Sequence, residues 1–122
     1  MSYFAELDEN NVVNGVIRID DINCHDENGA ESDEIGNTFI HTIIPNSGRW
    51  IRTSYNGSIR KHYASVGFTY EEARDIFIPA KQYPSWILDE DIKWNPPTPY
   101  PDDDTEIYVW DETTLSWIIQ PN

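Results

Sequence analysis

The sequence predicts a mainly β fold with a minor α component, in which short antiparallel hairpins accompany one helix near residues 32–44 and proline-rich spacers separate the hairpins toward the C-terminus. Three observations carry it. Strand-like runs flank turn-forming residues at five places, one segment repeats its apolar residues at helical spacing, and Pro79, Pro84, Pro96, Pro97, Pro99 and Pro101 punctuate the second half. With 122 residues, one hydrophobic core is the default. The expected organisation is a compact β/α domain over 1–78 and an aromatic hairpin extension over 79–122, packed on that domain or on a neighbouring subunit.

The first hairpin joins Tyr3-Phe4-Ala5-Glu6-Leu7 to the run from Val12 to Ile19 through Asp8-Glu9-Asn10-Asn11, with Gly15 marking a bulge. Residues 20–33 are acidic, carry the turn signal Asn28-Gly29 and hold only Ile22, Cys24 and Ala30 as apolar residues, so they read as an exposed loop. Ser32 then caps a helix. Asp33 and Glu34 suit its N-terminus, Ile35, Phe39, Ile40, Ile43 and Ile44 share one face, and Pro45 stops it.

A second hairpin is expected from Trp50–Tyr55 and Ser58–Tyr63 around Asn56-Gly57. It sets Arg52 opposite Lys61 and Trp50 opposite Tyr63, and like charges so placed destabilise the pair unless an anion lies between them. After Gly67 a weak repeat of about 20 residues places a strand, an acidic turn and a second strand three times: Phe68–Pro79, Ser85–Pro96 and Ile107–Pro121, with turns around Glu72, Asp89 and Glu112. Isolated two-stranded hairpins are marginal in water, so these must pack on something.

The charge is uneven. The net value is −14, yet Ile35–Tyr70 contains no acid and carries Arg49, Arg52, Arg60 and Lys61, leaving four basic against 22 acidic residues elsewhere, a net of −18. Either the basic middle docks against the acidic flanks or it meets a partner. The overall acidity argues against a nucleic-acid partner. No apolar run approaches a membrane span, and the opening residues have neither the basic start nor the apolar stretch of a secretory signal.

The residues offer no catalytic constellation. Asp102-Asp103-Asp104 with Glu106, and Asp20-Asp21 with Asn23 and Asp26, lack calcium-loop spacing. Cys24 and His25 are adjacent, but neither His41 nor His62 completes a Cys-x-x-Cys or His-Glu-x-x-His pattern, so no metal or other cofactor is expected. Cys24 cannot form an intramolecular disulfide and falls in the loop expected to be exposed, and there is no Gly-x-Ser-x-Gly elbow or phosphate-binding glycine pattern. Acid pairs such as Asp89 with Glu90 lie on hairpin turns that face water rather than a cleft. The enriched resource is aromatic. Candidate partner-binding residues are Arg49, Trp50, Arg52, Tyr55, Arg60, Lys61 and Tyr63 in the basic segment, with Trp86, Trp94, Trp110 and Trp117 in the hairpins. The alternative use of such rings is to hold the hairpins together by cross-strand pairing.

Several stretches resemble a family. Phe4-Ala5-Glu6-Leu7-Asp8-Glu9-Asn10-Asn11-Val12-Val13, Trp50–Gly57 with Arg60-Lys61-His62-Tyr63-Ala64, and Pro84-Ser85-Trp86-Ile87-Leu88-Asp89 are similar to a small virion-type protein of tailed phages of marine bacteria and cyanobacteria. Trp94-x-Pro96-Pro97-Thr98-Pro99 and Trp110-Asp111-Glu112-x-Thr114-x-Ser116-Trp117 extend the likeness to the C-terminus. The resemblance implies a non-enzymatic particle component made in the host cytoplasm and located in the virion. Capsid decoration or cement on the exterior is the first expectation, and a tail, neck or short-fibre part the second. Expected partners are the major capsid protein or tail and neck proteins, with homo-oligomers on the particle and neither nucleic acid nor membrane. A carbohydrate-binding adhesion module is the competing class, since exposed Trp rings also stack on sugars.

Overall fold

A computed structural model describes residues 1–121 and divides into two compact units, Met1–Ala80 and Lys81–Asn122. The fold is mainly β, with one 11-residue helix and short antiparallel sheets. No helix among the described residues is long and apolar enough to cross a membrane.

In the first unit, β1 (Ser2–Leu7), β2 (Val13–Ile19) and β3 (Arg49–Thr53) form an antiparallel sheet in the order β2-β1-β3. The β1–β2 turn is built as the sequence expects: the Asp8 carboxylate accepts from the amides of Asn10 and Val12 at 2.8 and 2.9 Å, and Asn11 takes a φ of 63°. Glu6 pairs with Gly15 and Leu7 with Val13, so the bulge residue is Asn14, next to the glycine. Strand alternation then sends Phe4 and Trp50 to one face and Ala5, Leu7 and Ile51 to the other.

The first face receives α1 (Asp33–Ile43), capped as expected by Ser32, whose hydroxyl accepts from the Ile35 amide. Its buried stripe is narrower than the apolar spacing implies. Gly36 and Ile40 are buried and Phe39 packs at the margin, whereas Ile35, Ile43 and Ile44 are exposed. The helix approaches through its smallest residue: a Cβ on Gly36 would sit 2.1 Å from Cζ of Phe4, so no larger side chain fits over that ring. Cys24 joins this cluster at 0% exposure, correcting the expectation of an exposed thiol. A 3-10 turn at Asp21–Asn23 swings the chain back so that Cys24 meets Phe4, Ile19, Ile40 and Trp50.

The opposite face is covered by β4 (Thr69–Glu71) and β5 (Ile76–Ile78), which with Ala64 complete a core around Leu7, Val13 and Ile51 through Tyr70 and Phe77. The hairpin expected around Asn56 is absent. Residues 54–68 form turns and bends instead, so the Arg52–Lys61 and Trp50–Tyr63 pairs do not exist. The reason lies at the outer edge of β3. Asn37 Oδ1 accepts from the Trp50 amide at 2.8 Å, Asp33 Oδ1 from the Arg52 amide at 2.7 Å, and Arg60 Nη1 donates to the Arg52 carbonyl at 2.8 Å. Side chains thus occupy the groups that a second strand would need. Arg60 and Lys61, at φ 53° and 70°, also leave the extended region. The Asn-Gly signal still makes a turn, closed one residue earlier by the Gly57 amide on the Ser54 carbonyl.

The second unit holds β6 (Ile87–Leu88) paired with β7 (Trp94–Asn95), and β8 (Tyr108–Asp111) paired with β9 (Ser116–Ile119). All three repeated hairpins are present, and their repeat extends to the backbone. Asp75, Ile92 and Leu115, each two residues before the cross-strand aromatic, adopt φ values of 55°, 60° and 53°. The aromatic register repeats as well: Tyr70 faces Phe77, Leu88 faces Trp94 and Trp110 faces Trp117.

Candidate interaction surface

Three of the four cations in the acid-free segment are engaged within the first unit. Arg60 lies deepest, its side chain 11% exposed; it pairs with Asp33 Oδ2 and Asp75 Oδ1, each at 2.7 Å, and its guanidinium lies over the Tyr70 ring. Arg52 reaches Glu31 at 3.1 Å and Asp33 at 3.3 Å, and Arg49 pairs with Glu72. Burial disfavours the charge on Asp33, but bonds from Arg60 and from the Arg52 amide outweigh it and hold the carboxyl below the usual range. The Tyr70 hydroxyl and then Arg60 lower Asp75 likewise, and the Ser2 hydroxyl followed by Arg52 lowers Glu31 against some burial. These groups are charged partners in a network spanning α1, β3 and the β4–β5 turn. Lys61 is exposed at its margin.

The turn acids, expected to face water, are partly folded into local structure. Asp89 accepts from the Asn95 side chain and from the amides of Asp91 and Lys93, and Glu112 accepts from the Ser85 hydroxyl at 2.6 Å and from Trp110 Nε1 at 3.0 Å. The Ser85 hydroxyl, then Trp110, lowers the Glu112 carboxyl.

The tryptophans of the second unit turn toward one another. Trp86 meets Trp110 edge-on at 6.0 Å, Trp110 meets Trp117 at 5.2 Å, and Tyr83 and Tyr100 close the group at 5.4 Å from Trp86 and 4.9 Å from Trp117. Trp110 is buried, as is Trp50 in the first unit, so these two candidate docking residues serve the core of the chain itself. Trp94 lies under Lys81, 5.2 Å from ring centre to ammonium.

What the candidates leave at the surface is a tyrosine group. Tyr55 and Tyr63, 69% and 38% exposed, flank Tyr3 with ring centres 6.0 and 5.8 Å away. The loop that replaced the expected hairpin delivers them beside β1, where alternation puts Tyr3 on the face opposite α1. A shallow cleft of 260 Å³ opens beside them, lined by Tyr3 and Tyr55 with Met1, Glu31, Asn56 and Ile59. Sequence reasoning selected Tyr55 and Tyr63 but missed Tyr3, which alternation places on the same face as the core residues Ala5 and Leu7, at the end of the first strand. Compared with protein-family models, curated proteins and solved structures, the chain matches none of them.

Proposed function

We propose that this chain is a non-enzymatic structural component of a tailed-phage particle, docked on the capsid exterior as a decoration or cement protein. The observation that supports a docking role is the Tyr3–Tyr55–Tyr63 group: amphipathic rings exposed together beside a shallow cleft, of the residue type that anchors protein interfaces. The basic strip is the weaker candidate, because Arg49, Arg52 and Arg60 spend their charge on Glu72, Glu31, Asp33 and Asp75. The virion assignment itself rests on the sequence resemblance. Mass spectrometry of purified particles tests it: copies in proportion to the major capsid protein support capsid decoration, a small fixed number moves the protein to the tail or neck, and absence removes the virion reading. On reassembled particles, Tyr55→Ala with Tyr63→Ala is expected to lower occupancy while leaving the melting temperature of the free protein nearly unchanged; unchanged occupancy removes the tyrosine group from the interface.

A further inference from the structure

Residues 20–32 close on themselves. The Ser32 amide bonds the Cys24 carbonyl at 2.8 Å, the Asp26 carboxylate gathers the amides of Asn28 and Ala30, and His25 bridges Glu31 across the loop. This closure assembles donors that share no sequence motif. The Cys24 thiol, the His25 imidazole and a Glu31 carboxylate oxygen all lie within 4.8 Å of one another. The thiol forms a buried floor, while the side chains of His25 and Glu31, 26% and 38% exposed, leave an approach from solvent.

A second observation points to the same place. The Ser2 hydroxyl lies 2.7 Å from both Asp21 Oδ1 and Glu31 Oε1. A hydroxyl carries one proton, so it serves one carboxylate and meets the other lone pair to lone pair. Of the fixed positive charges nearby, the Met1 ammonium is on that same Asp21 Oδ1 at 3.1 Å, whereas Arg52 takes the far oxygen of Glu31, Oε2, so Glu31 Oε1 is the oxygen left without one. Glu31 Oε1 therefore stays turned toward Ser2 and toward His25 Nε2, 3.9 Å away, with Arg52 fixing the plane of the carboxylate.

We propose that Cys24, His25 and Glu31 bind a divalent transition ion of the zinc class, with a water molecule as the fourth donor. Thiolate, imidazole and carboxylate together select such an ion over calcium or magnesium, which take oxygen donors. Bond lengths of about 2.0–2.3 Å place tetrahedral donors roughly 3.3–3.8 Å apart, so the three groups close by at most about 1 Å on binding. The thiol proton leaves to solvent, a sulfur–metal bond forms, and nothing is oxidised or reduced. The bound ion ties the 20–32 loop to the end of the sheet.

Cobalt(II) is the probe. Chelator-treated, reduced full-length protein titrated with Co²⁺ is expected to develop a thiolate-to-cobalt charge-transfer band and tetrahedral d–d absorption at one equivalent. Zn²⁺ should abolish both signals and raise the melting temperature. Cys24→Ser removes the charge-transfer band, and His25→Ala and Glu31→Gln each weaken binding by about tenfold or more. His41→Ala and His62→Ala leave it unchanged. Glu31→Gln, at a surface position, keeps the test valid even if Cys24→Ser perturbs the core. The proposal is overturned by absence of a charge-transfer band with Co²⁺ in excess, by wild-type affinity in Glu31→Gln, or by loss of binding in the His41 or His62 variants.

Discussion

The β4–β5 and β8–β9 hairpins begin from nearly the same sequence pattern and end in different cores. Each places an aromatic pair across its strands, Tyr70 with Phe77 and Trp110 with Trp117, beyond a turn whose last loop residue has positive φ. In the first unit that pair closes over aliphatic side chains of a three-stranded sheet, Leu7, Val13 and Ile51. In the second, no such sheet exists among the described residues, and the pair is backed by Trp86, Tyr83 and Tyr100. A short repeated hairpin therefore supplies only one wall of a core. What it stabilises depends on what the rest of its unit places against it, and rings stand in where strands are too short to offer an aliphatic face.

The largest expected effect separates the two cores. Phe4→Ala empties the position under Gly36 between sheet and helix and should cost about 4 kcal/mol, lowering a denaturant midpoint followed by helix circular dichroism. Tryptophan fluorescence from the second unit, followed in the same titration, sharpens the comparison: a coincident shift means that the two units unfold as one, and a separate transition means that each core stands alone.

Next comes Arg60→Met. It strips Asp33 and Asp75 of their partner and leaves the Arg52 carbonyl without its donor. Because Asp33 is about one-third exposed, the full cost of orphaning a buried ion is discounted to about 2 kcal/mol. The same variant tests the acid limb of stability. Asp33, Asp75 and Glu31 titrate below their unfolded values, so their contribution is complete above about pH 5 and is lost as the pH falls through 4 and lower. Arg60→Met should flatten that limb; an unchanged slope would mean that other carboxylates govern it.

Arg52→Ser is smaller and decides between two pictures of the central segment. A hairpin with Arg52 facing Lys61 predicts stabilisation through relieved repulsion. The observed pairing with Glu31 and Asp33 predicts a loss of about 1 kcal/mol, read as a lower melting temperature. The smallest effect is expected at Trp86→Phe. Trp86 Nε1 is buried without a hydrogen-bond partner among the described residues, whereas Trp110 and Trp117 donate to Glu112 and to the Thr98 carbonyl. Loss of ring area and removal of an unsatisfied donor nearly cancel, for a net change of about 0 kcal/mol, whereas Trp117→Phe costs about 1 kcal/mol.

The elements legible in the sequence are those settled within a few residues. The Asp8–Asn11 turn, the Ser32 cap and the Asp89 turn are fixed by side chains bonding backbone close by, and the Glu72 and Glu112 turns by bonds between residues three apart. The illegible parts depend on distant partners. Asn56-Gly57 predicted a strand pair from local turn chemistry, but Asp33 and Asn37, about twenty residues upstream, had already engaged the amides of β3. Charge complementarity was visible as a basic segment between acidic flanks, but not which acids would meet which arginines. For the candidate surface, exposure was the hidden variable: Trp50 and Trp110 are as aromatic as Tyr55 and Tyr63, and only packing sorts them into core and surface.

The side-chain bonds along the outer edge of β3 also bear on behaviour in a crowd. A strand at a sheet margin ordinarily offers a row of amides and carbonyls to any extended chain nearby, including another copy of itself. Here Trp50 and Arg52 present amides already satisfied by Asn37 and Asp33, and the Arg52 carbonyl is occupied by Arg60. At high protein concentration this margin therefore offers a neighbouring chain few free backbone groups from which to seed a fibre. Unsealing it through Asn37→Ala together with Arg60→Met is the change that would make concentration itself a hazard.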